Sequence, residues 1–255
     1  MAEKFTETVK VMQQEKLGDG IYSIWFATKD IARAAKAGQF VAVYSKDKSR
    51  MLPRPISICE IDKEENRIRI VYRVVGEGTM EFSQVKAGDD VRIMGPLGNG
   101  YSEMKGSVMV IGGGIGIPPM LGLAESLEGE VTAVLGYRDE QFLREEFEKC
   151  AKVYIATEDG SDGTKGNVLD AIREHDLHPE VICACGPTPM LRAIKAYALE
   201  NGIECFVSLE EKMACGIGAC LACVCKSSEV DEHSNVHNKR ICKEGPVFNV
   251  KEVEF

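Results

Sequence analysis

The chain has 255 residues, of which 44% are hydrophobic and 28% are charged, and its formal net charge is −9. This length suits one large domain or two small ones. The negative charge argues against a nucleic-acid-binding protein, whose binding surface is expected to be basic. The sequence contains no run of about 18 apolar residues typical of a membrane helix, and its start, "MAEKFTETVK", lacks the apolar core of a signal peptide. We therefore expect a cytoplasmic protein without nucleic-acid or membrane partners, in which stable disulfides are rare.

The first hundred residues contain segments typical of short strands. They combine β-branched and aromatic residues and are punctuated by Gly, Asp or Asn. These segments are "GIYSIWFAT", "GQFVAVYS", "NRIRIVYRVV" and "DDVRIMGP". A short helix is predicted over residues 79–85. Regular short strands separated by turns predict a barrel or a sandwich.

From residue 107 the pattern changes to strands that alternate with helices. The predicted strands are "SVMVIGGG", "VTAVLGY", "AKVYIATE", "EVICACG" and "IECFVSLE". The predicted helices between them are "PPMLGLAESLE", "DEQFLREEFEKC", "GNVLDAIREH" and "TPMLRAIKAYALEN". This alternation predicts a parallel, doubly wound sheet. We therefore expect three parts, at residues 1–103, 104–209 and 210–255.

Two motifs of the first part suit the binding of a phosphate. In "RPIS", residues 54–57, Arg54 offers a planar fork of donors and Ser57 a hydroxyl, although a plain Arg-Pro turn between strands would look the same. In "GEGT", residues 76–79, Gly76 and Gly78 lead into the predicted helix, where free N–H groups and the helix dipole favour an anion. Together the motifs predict that Arg54 and the helix start hold one pyrophosphate from two sides.

The second part contains two glycine turns that follow buried strands. "VIGGGIGIPPM", residues 110–120, does not match G-x-G-x-x-G, because Ile117 and Pro119 stand where the last glycine is required. Its backbone still permits a phosphate to approach, and the alternative is a tight strand–helix connection without a ligand. "CACGPTPM", residues 183–190, is a second turn at the same rim of the sheet. We expect a nicotinamide nucleotide to bind at this rim, with contacts from Gly113, Gly114, Gly116, Cys185 and Gly186.

The choice between NAD and NADP depends on the residues after "VTAVLGY". Arg138 suits the 2′-phosphate of NADP, whereas the adjacent Asp139 opposes it. We therefore expect NAD. Cys185 is not expected to be a nucleophile, because the sequence provides no companion histidine.

Four cysteines near the end of the chain have the spacing of an iron–sulfur site. Cys215, Cys220 and Cys223 follow C-x4-C-x2-C, and eighteen residues separate Cys223 from Cys242. A plant-type [2Fe–2S] cluster has this spacing, whereas structural zinc sites usually have two separated C-x2-C pairs. The spacing favours iron–sulfur over zinc. Cys225 lies on the same side of an extended strand as Cys223, so it either competes as a ligand or packs as a buried thiol, and we expect the second.

Together these motifs resemble the ferredoxin-reductase superfamily. "RPIS", "GEGT", "GGGIGIPP", "TEDGSDGTKG" and "CGPTPM" appear in the order typical of that superfamily. With "MACGIGACLACVCK" and "RICKEGPVF", the whole chain resembles the electron-transfer subunits of NAD-linked, two-component dihydroorotate dehydrogenases. The resemblance implies a flavin-binding antiparallel β-barrel, a doubly wound nicotinamide-binding α/β domain and a small C-terminal [2Fe–2S] segment.

The resemblance also assigns site residues. Many members of the superfamily have Tyr at the position of Ile56. The dihydroorotate branch has Ile there, as this chain does. The implied cluster ligands are Cys215, Cys220, Cys223 and Cys242. The implied FAD contacts are Arg54, Pro55, Ile56, Ser57, Val71, Tyr72, Arg73, Gly78 and Thr79.

The function implied by the resemblance is electron transfer in pyrimidine biosynthesis. Electrons from an FMN-containing catalytic subunit would pass through the [2Fe–2S] cluster and FAD to NAD+, in a heterotetramer of two heterodimers with the cluster near the subunit interface. The cofactors perform the chemistry, so we expect no catalytic side chain and no oxidation of dihydroorotate by this chain alone. Alternatives are the small subunit of an NADH-dependent ferredoxin:NADP oxidoreductase or of a sulfide-linked hydrogenase. A non-catalytic redox sensor with flavin and zinc is an alternative of another class.

Overall fold

The computed structural model describes residues 3–138, 140–230 and 235–255, so Asp139 lies outside the described residues. Six antiparallel strands close into a barrel in the order β1-β2-β5-β4-β3-β6, which confirms the predicted barrel. These strands are β1 (Phe5–Gly18), β2 (Ile21–Ala27), β3 (Phe40–Val43), β4 (Arg54–Asp62), β5 (Arg67–Arg73) and β6 (Asp90–Leu97). Alternating apolar residues such as Ile68 and Ile70 fill its interior, because successive side chains of a strand point to opposite faces.

The barrel differs from the sequence prediction at three places. β1 and β4 are not among the predicted strands, and "RPIS" is the beginning of β4 rather than a turn. Pro55 lies opposite Ala42 of β3 in an antiparallel register. The predicted helix at residues 79–85 is α2 (Glu77–Phe82), which begins two residues earlier with Gly76 as its N-cap. A further short helix, α1 (Lys29–Ala34), follows β2.

The second part is a parallel sheet with helices between its strands, as predicted. Its strands are β7 (Val108–Gly113), β8 (Val131–Tyr137), β9 (Lys152–Thr157), β10 (Thr164–Lys165), β11 (Val181–Cys185) and β12 (Glu204–Ser208). Its helices are α3 (Ile117–Ser126), α4 (Arg144–Phe147), α5 (Val168–Glu174) and α6 (Thr188–Asn201). A 3-10 turn over Gly114–Gly116 joins β7 to α3.

The helix predicted over residues 139–150 is reduced to the single turn of α4. Leu143 adopts a positive φ of 63°, which a continuous helix does not permit. The hydroxyl of Tyr137 donates to the backbone C=O of Phe142 (2.7 Å), and Arg144 pairs with Asp162 (2.7 Å) in the loop after β9. These contacts with residues outside the segment override its helical propensity.

The cysteine-rich part is attached to the sheet by one of its own strands. Its strands are β13 (Val224–Ser227), β14 (Asn238–Arg240), β15 (Val247–Asn249) and β16 (Val253–Glu254). β14, β13 and β16 form a small sheet, whereas β15 pairs antiparallel with β12 and completes the order β10-β9-β8-β7-β11-β12-β15. The boundaries at residues 103 and 209 stay predictions, but the last part contributes an edge strand to the second.

The barrel and the α/β part are packed tightly against each other. A Cβ at Gly122 of α3 would overlap the backbone oxygen of Cys59 in β4. Nearby, the buried Arg69 donates to Glu60 (2.5 Å), and its Nη1 lies 3.6 Å from Glu146 of α4. Among the helices of the described residues, none is long and apolar enough to span a membrane.

Candidate functional site

A cavity of 410 Å³ lies between the barrel and the carboxyl ends of strands β7 and β12. All nine residues that the resemblance assigns to FAD line it. Sequence reasoning missed two groups of lining residues. From the barrel side these are Phe40, Val75 and Glu77, and from the other side Ile115, Ser208, Leu209, Glu210, Glu211, Met213 and Pro246. The rule that ligands bind beyond the carboxyl ends of parallel strands points to the residues after β7 and β12.

The "RPIS" and "GEGT" motifs meet at one side of this cavity. The guanidinium of Arg54 lies against Gly78, where a Cβ would stand 2.5 Å from Nε. The hydroxyl of Thr79 accepts hydrogen bonds from the N–H groups of Val75 (2.9 Å) and Gly76 (3.2 Å). Thr79 thus holds the turn in shape, and Gly78 leaves room for the cation. A planar guanidinium next to a compact backbone turn fits a phosphate group.

The side chain of Tyr72 lines the barrel end of the same cavity and carries a buried polar group. Its side chain is 3% exposed and packs between Tyr22 and Phe82, with ring centroids 6.1 and 6.2 Å away. Burial, and then the neighbouring Tyr22, raises the pKa of Tyr72, so its hydroxyl remains a hydrogen-bond donor. Within the described residues this hydroxyl has no hydrogen-bond partner. A ligand rich in acceptor oxygens, such as FAD, fits this position.

A second cavity, of 520 Å³, lies at the carboxyl-terminal rim of the parallel sheet. Gly113, Gly116 and Gly186 line it, as expected for the nicotinamide nucleotide, together with Pro187 and Thr188 at the start of α6. A Cβ at Gly116 would overlap the backbone of residue 185, so glycine permits the two turns to approach each other.

Two residues expected in this nucleotide site do not line the second cavity. Gly114 forms the turn after β7 with a φ of +53°. The side chain of Cys185 is fully buried in the core and turns away from the rim. Burial raises the pKa of the Cys185 thiol, which keeps it protonated and unreactive. Alternation along β11 directs the side chain of its last residue inward, which the turn motif alone does not reveal.

The two cavities share a wall. Ile115, Leu209, Glu210 and Glu211 line both of them. Ile115 follows β7, and the other three follow β12, so the wall is formed by two strand ends of one sheet. Ligands in the two cavities are therefore in contact range of each other across these four residues.

Backbone N–H groups of the cysteine loop are directed at sulfur atoms. Cys215 Sγ accepts from the N–H groups of Ile217 (3.5 Å) and Ala219 (3.3 Å). Cys242 Sγ accepts from Gly218 N–H (3.1 Å). Burial opposes ionisation of Cys215, but hydrogen bonds from backbone N–H groups lower its pKa to about 6. This environment stabilises the thiolate of Cys215, the form that binds metal. Burial, and then the neighbouring Cys223, raises the pKa of Cys242 to about 12.

The four predicted ligand cysteines come together as two pairs. The Cys220 thiol helps to lower the pKa of Cys215, and the Cys223 thiol helps to raise the pKa of Cys242, so each pair lies close together. The backbone N–H of Cys242 also donates to Cys223 Sγ (3.4 Å). A zinc site needs four ligands around one ion, whereas a [2Fe–2S] cluster needs two ligands at each of two irons. The paired thiols fit the two-iron cluster.

Cys225 is separate from these pairs. It is half-buried in β13, its Sγ lies 3.6 Å from the backbone oxygen of Lys239, and it borders the second cavity. Burial raises the pKa of the Cys225 thiol. A protonated thiol with its own acceptor is packed as the sequence predicted.

The cysteine loop also borders the first cavity. Met213 and Pro246, which flank the loop and its last ligand in the sequence, both line that cavity. A Cβ at Gly216 would stand 3.2 Å from Leu97 of the barrel. Asn99 donates through Nδ2 to the backbone oxygens of Lys243 (3.1 Å) and Glu244 (3.0 Å). These contacts therefore fix the position of the cysteine loop relative to the barrel and the first cavity.

Comparison with known proteins identifies the family. Residues 8–101 match the oxidoreductase FAD-binding domain, and residues 210–254 match the iron–sulfur cluster binding domain of dihydroorotate dehydrogenase B. The dihydroorotate dehydrogenase B (NAD(+)) electron transfer subunit of Caldanaerobacter subterraneus subsp. tengcongensis is 40% identical over 248 residues, which cover 96% of this chain and 97% of that protein. The subunit of the same name from Fusobacterium nucleatum is 38% identical, with 98% of each chain covered.

The chain belongs to the dihydroorotate dehydrogenase B electron transfer subunit family. As a member of that family it is an oxidoreductase subunit with an FAD-binding domain and an iron–sulfur domain. Solved structures agree with this assignment. A structure described as the NADH-dependent reduced ferredoxin-NADP oxidoreductase superposes with a TM-score of 0.87 at 30% identity, covering 97% of this chain and 90% of the other. A flavohemoglobin from Malassezia yamatoensis, with a TM-score of 0.60 at 23% identity, shares the fold over 78% of this chain and 57% of its own.

Proposed function

We propose that this family member passes electrons from a dihydroorotate-oxidising catalytic subunit through a [2Fe–2S] cluster and FAD to NAD+. The observation that carries the proposal is the shared wall of the two cavities, together with the cysteine loop at the other side of the first cavity. Bound FAD exchanges electron pairs with a nicotinamide and single electrons with a cluster, so it belongs in the cavity between them.

The residues of this chain would orient the cofactors rather than react. Arg54 and the turn before α2 would hold the pyrophosphate of FAD, and Tyr72 would donate a hydrogen bond to it. The glycines of the two rim turns would admit the phosphates of NAD+ to the backbone. Cys215 with Cys220, and Cys223 with Cys242, would hold the two irons.

We propose that the partner is an FMN-containing catalytic subunit and that it docks on the cysteine loop. Cys220 is exposed, and the apolar side chains of Ile217, Leu221 and Val224, which lie within four positions of it in the sequence, are exposed as well. An apolar surface next to a redox centre supports a docking site that brings a second redox centre close. We propose the cytoplasm as the location, since all ten cysteines are free thiols, and a heterotetramer of two heterodimers as the assembly.

Reconstitution tests this proposal. The chain loaded with FAD and cluster is mixed anaerobically with the FMN-containing subunit, and NADH formation from dihydroorotate and NAD+ is followed. We expect turnover with both subunits and none with this chain alone. Turnover by this chain without the partner would contradict the proposal. Zinc in place of equimolar iron and sulfide in the purified protein would favour the redox-sensor alternative.

A second candidate function is a subunit of a ferredoxin:NADP oxidoreductase. It is favoured by the TM-score of 0.87 to the structure of that description, although the 30% identity is lower than the 40% to the dihydroorotate dehydrogenase B relative. The same assay separates the two candidate functions when reduced ferredoxin replaces both the FMN-containing subunit and dihydroorotate. NADH formation with ferredoxin and none with dihydroorotate would favour this second candidate.

A further inference from the structure

The wall between the two cavities carries a carboxyl group at the place where the ligands meet. Glu210 lines both cavities and lies two residues beyond the end of β12. The residue before it, Leu209, is buried, and its N–H donates to the backbone oxygen of Pro246 (2.9 Å). The backbone that carries Glu210 is therefore held by the sheet and by the segment after the last cluster cysteine.

The carboxyl group of Glu210 has no competing partner. In the part of the chain that the structure describes, neither a hydrogen-bond donor nor a cation is paired with it. The side chain of Glu210 is exposed, and ligands in the two cavities that it lines would shield it from water. Neighbouring protein atoms already raise the pKa of Glu210 by desolvation. Glu211 lines the same wall, but its carboxylate accepts from the backbone N–H of Lys212 (3.2 Å). The two neighbours therefore differ in how much of their charge is available to a ligand.

The nicotinamide ring is the part of the nucleotide whose charge changes in the reaction. It is positively charged in NAD+ and neutral in NADH, while the rest of the molecule is the same. A carboxylate in a site partly shielded from water attracts a cation several-fold more strongly than it does in bulk water. A carboxylate at the meeting point of the two cavities therefore distinguishes the two forms.

We propose that Glu210 selects the oxidised nicotinamide, so that the second cavity binds NAD+ more tightly than NADH. The inference rests on the proposed function, because it takes the second cavity as the NAD site. Weak retention of NADH speeds release of the product, while tighter binding of NAD+ lowers the reduction potential of the bound nicotinamide couple and leaves the overall equilibrium unchanged. Glu210 acts here as a specificity-determining residue.

The cation of the second cavity does not provide this selection. Arg192 lines the second cavity but not the first, and its Nε donates to the backbone oxygen of Phe255 (2.7 Å). Its position near the start of α6 suits the pyrophosphate, which NAD+ and NADH share. A contact with that group strengthens the binding of both forms equally.

Calorimetric titration of the FAD- and cluster-loaded protein at pH 8 and low salt tests the inference. The ligands are NAD+ and 1,4,5,6-tetrahydro-NAD, a neutral analogue of NADH that does not donate hydride to the flavin. We expect Glu210→Gln to weaken the binding of NAD+ by about tenfold, as expected for the loss of one partly shielded charge pair, and to change the binding of the analogue by less than about twofold. The matched control Glu204→Gln changes an exposed carboxylate at the start of β12 that lines neither cavity, and it is expected to leave both affinities within about twofold.

The outcomes separate this inference from the proposed function. Equal weakening of the binding of both ligands by Glu210→Gln, or the same change in selectivity in Glu204→Gln, overturns the role of Glu210 alone. Failure of the unmodified protein to bind either ligand overturns the proposed function as well. Salt provides a test that requires no variant, because 0.5 M NaCl shortens the Debye length to about 4 Å and weakens charge pairs that are separated by more than this distance. We expect salt to weaken the binding of NAD+ more than the binding of the analogue. Equal weakening of the binding of both ligands contradicts the inference.

Discussion

The guanidinium of Arg54 lies against the backbone of Gly78, so closely that a Cβ at residue 78 would stand 2.5 Å from Nε and 2.7 Å from Cζ of Arg54. This contact joins the start of β4 to the first turn of α2 at one side of the first cavity. The cation and the turn thus form one anion-binding surface, although each motif alone is unspecific.

Gly78→Ala is expected to weaken FAD binding about tenfold, the effect of displacing one charge-assisted contact. The methyl group would move the flexible end of Arg54 and leave the fold intact. Stability of the apoprotein is expected to stay equal or to rise by up to about 1 kcal/mol, because alanine favours a helix more than glycine does. Quenching of FAD fluorescence measures the affinity. Gly76→Ala is the control, since a Cβ there meets nothing within 4 Å; equal losses in both variants would contradict the role of Arg54.

Tyr72→Phe is expected to change stability in opposite directions with and without FAD. The buried hydroxyl has no partner among the described residues, so its removal is expected to stabilise the apoprotein by about 1 kcal/mol. If the hydroxyl donates to FAD, the same change weakens FAD binding by a similar free energy. Urea unfolding of the apoprotein and FAD titration measure the two effects. Unchanged FAD affinity would exclude Tyr72 as a donor to the cofactor.

Cys225→Ser is expected to keep the cluster, whereas Cys223→Ser is expected to lose it. Cys225 already has the backbone oxygen of Lys239 as its acceptor, while Cys223 is paired with Cys242. Iron and acid-labile sulfide in anaerobically purified protein, with the visible absorption spectrum, give the readout. Loss of iron in Cys225→Ser together with retention in Cys223→Ser would reassign the third ligand.

Gly122→Ala is expected to destabilise the protein by about 1–3 kcal/mol, through overpacking against the backbone of Cys59. On an exposed helix face the same substitution stabilises by up to about 1 kcal/mol, so the sign of the change is diagnostic. Urea unfolding measures it. Ser126→Ala at the last position of α3 is the matched control, expected within about 0.5 kcal/mol. A stabilising Gly122→Ala would show that the close approach of α3 and β4 does not occur.

Glu125→Gln is expected to stabilise the protein at pH 8 but not at pH 5. Burial, and then the nearby Glu60 carboxylate, raises the pKa of Glu125 to about 7 from an ordinary value of 4.5. Ionisation is thus less favourable in the folded state, which loses stability as the pH rises from about 4.5 through 7. Glutamine removes this loss, which we put at about 1 kcal/mol because solvent screens a partly exposed group.

Urea unfolding at pH 5 and at pH 8 gives the readout for Glu125→Gln. Glu128→Gln, exposed two residues beyond the end of α3, is the control that removes a charge without changing a buried environment. Equal stabilisation at both pH values would show that Glu125 does not titrate between them.

The elements that local pattern determines were predictable from the sequence. β8 and α6 have the predicted bounds of residues 131–137 and 188–201, because hydrophobic periodicity and end signals agree there. α4 was not predictable, since the Arg144–Asp162 pair and the turn at Leu143 depend on a loop that is distant in the sequence.

Candidate site residues divide in the same way. The cluster ligands and the phosphate-binding residues of "RPIS" and "GEGT" were predictable, because each set is recognisable from a short stretch of sequence. Cys185 was expected at the rim, yet its side chain is buried, because the direction of one residue depends on the register of β11 with its neighbours. Glu210 carries no motif, and its position becomes apparent only when two strand ends meet in space.

The pairing of β15 with β12 limits how the cysteine-rich part can be exchanged between proteins. Ser208 lies opposite Val247, and Val250 N–H donates to the backbone oxygen of Cys205 (3.0 Å), so the part finishes an edge of the neighbouring sheet. A graft of the four cysteines onto another reductase would leave that edge unpaired unless the strand came with them. The part is therefore inherited together with the sheet that receives it, and recombination between relatives is expected to break the chain before β12 rather than at the first cysteine.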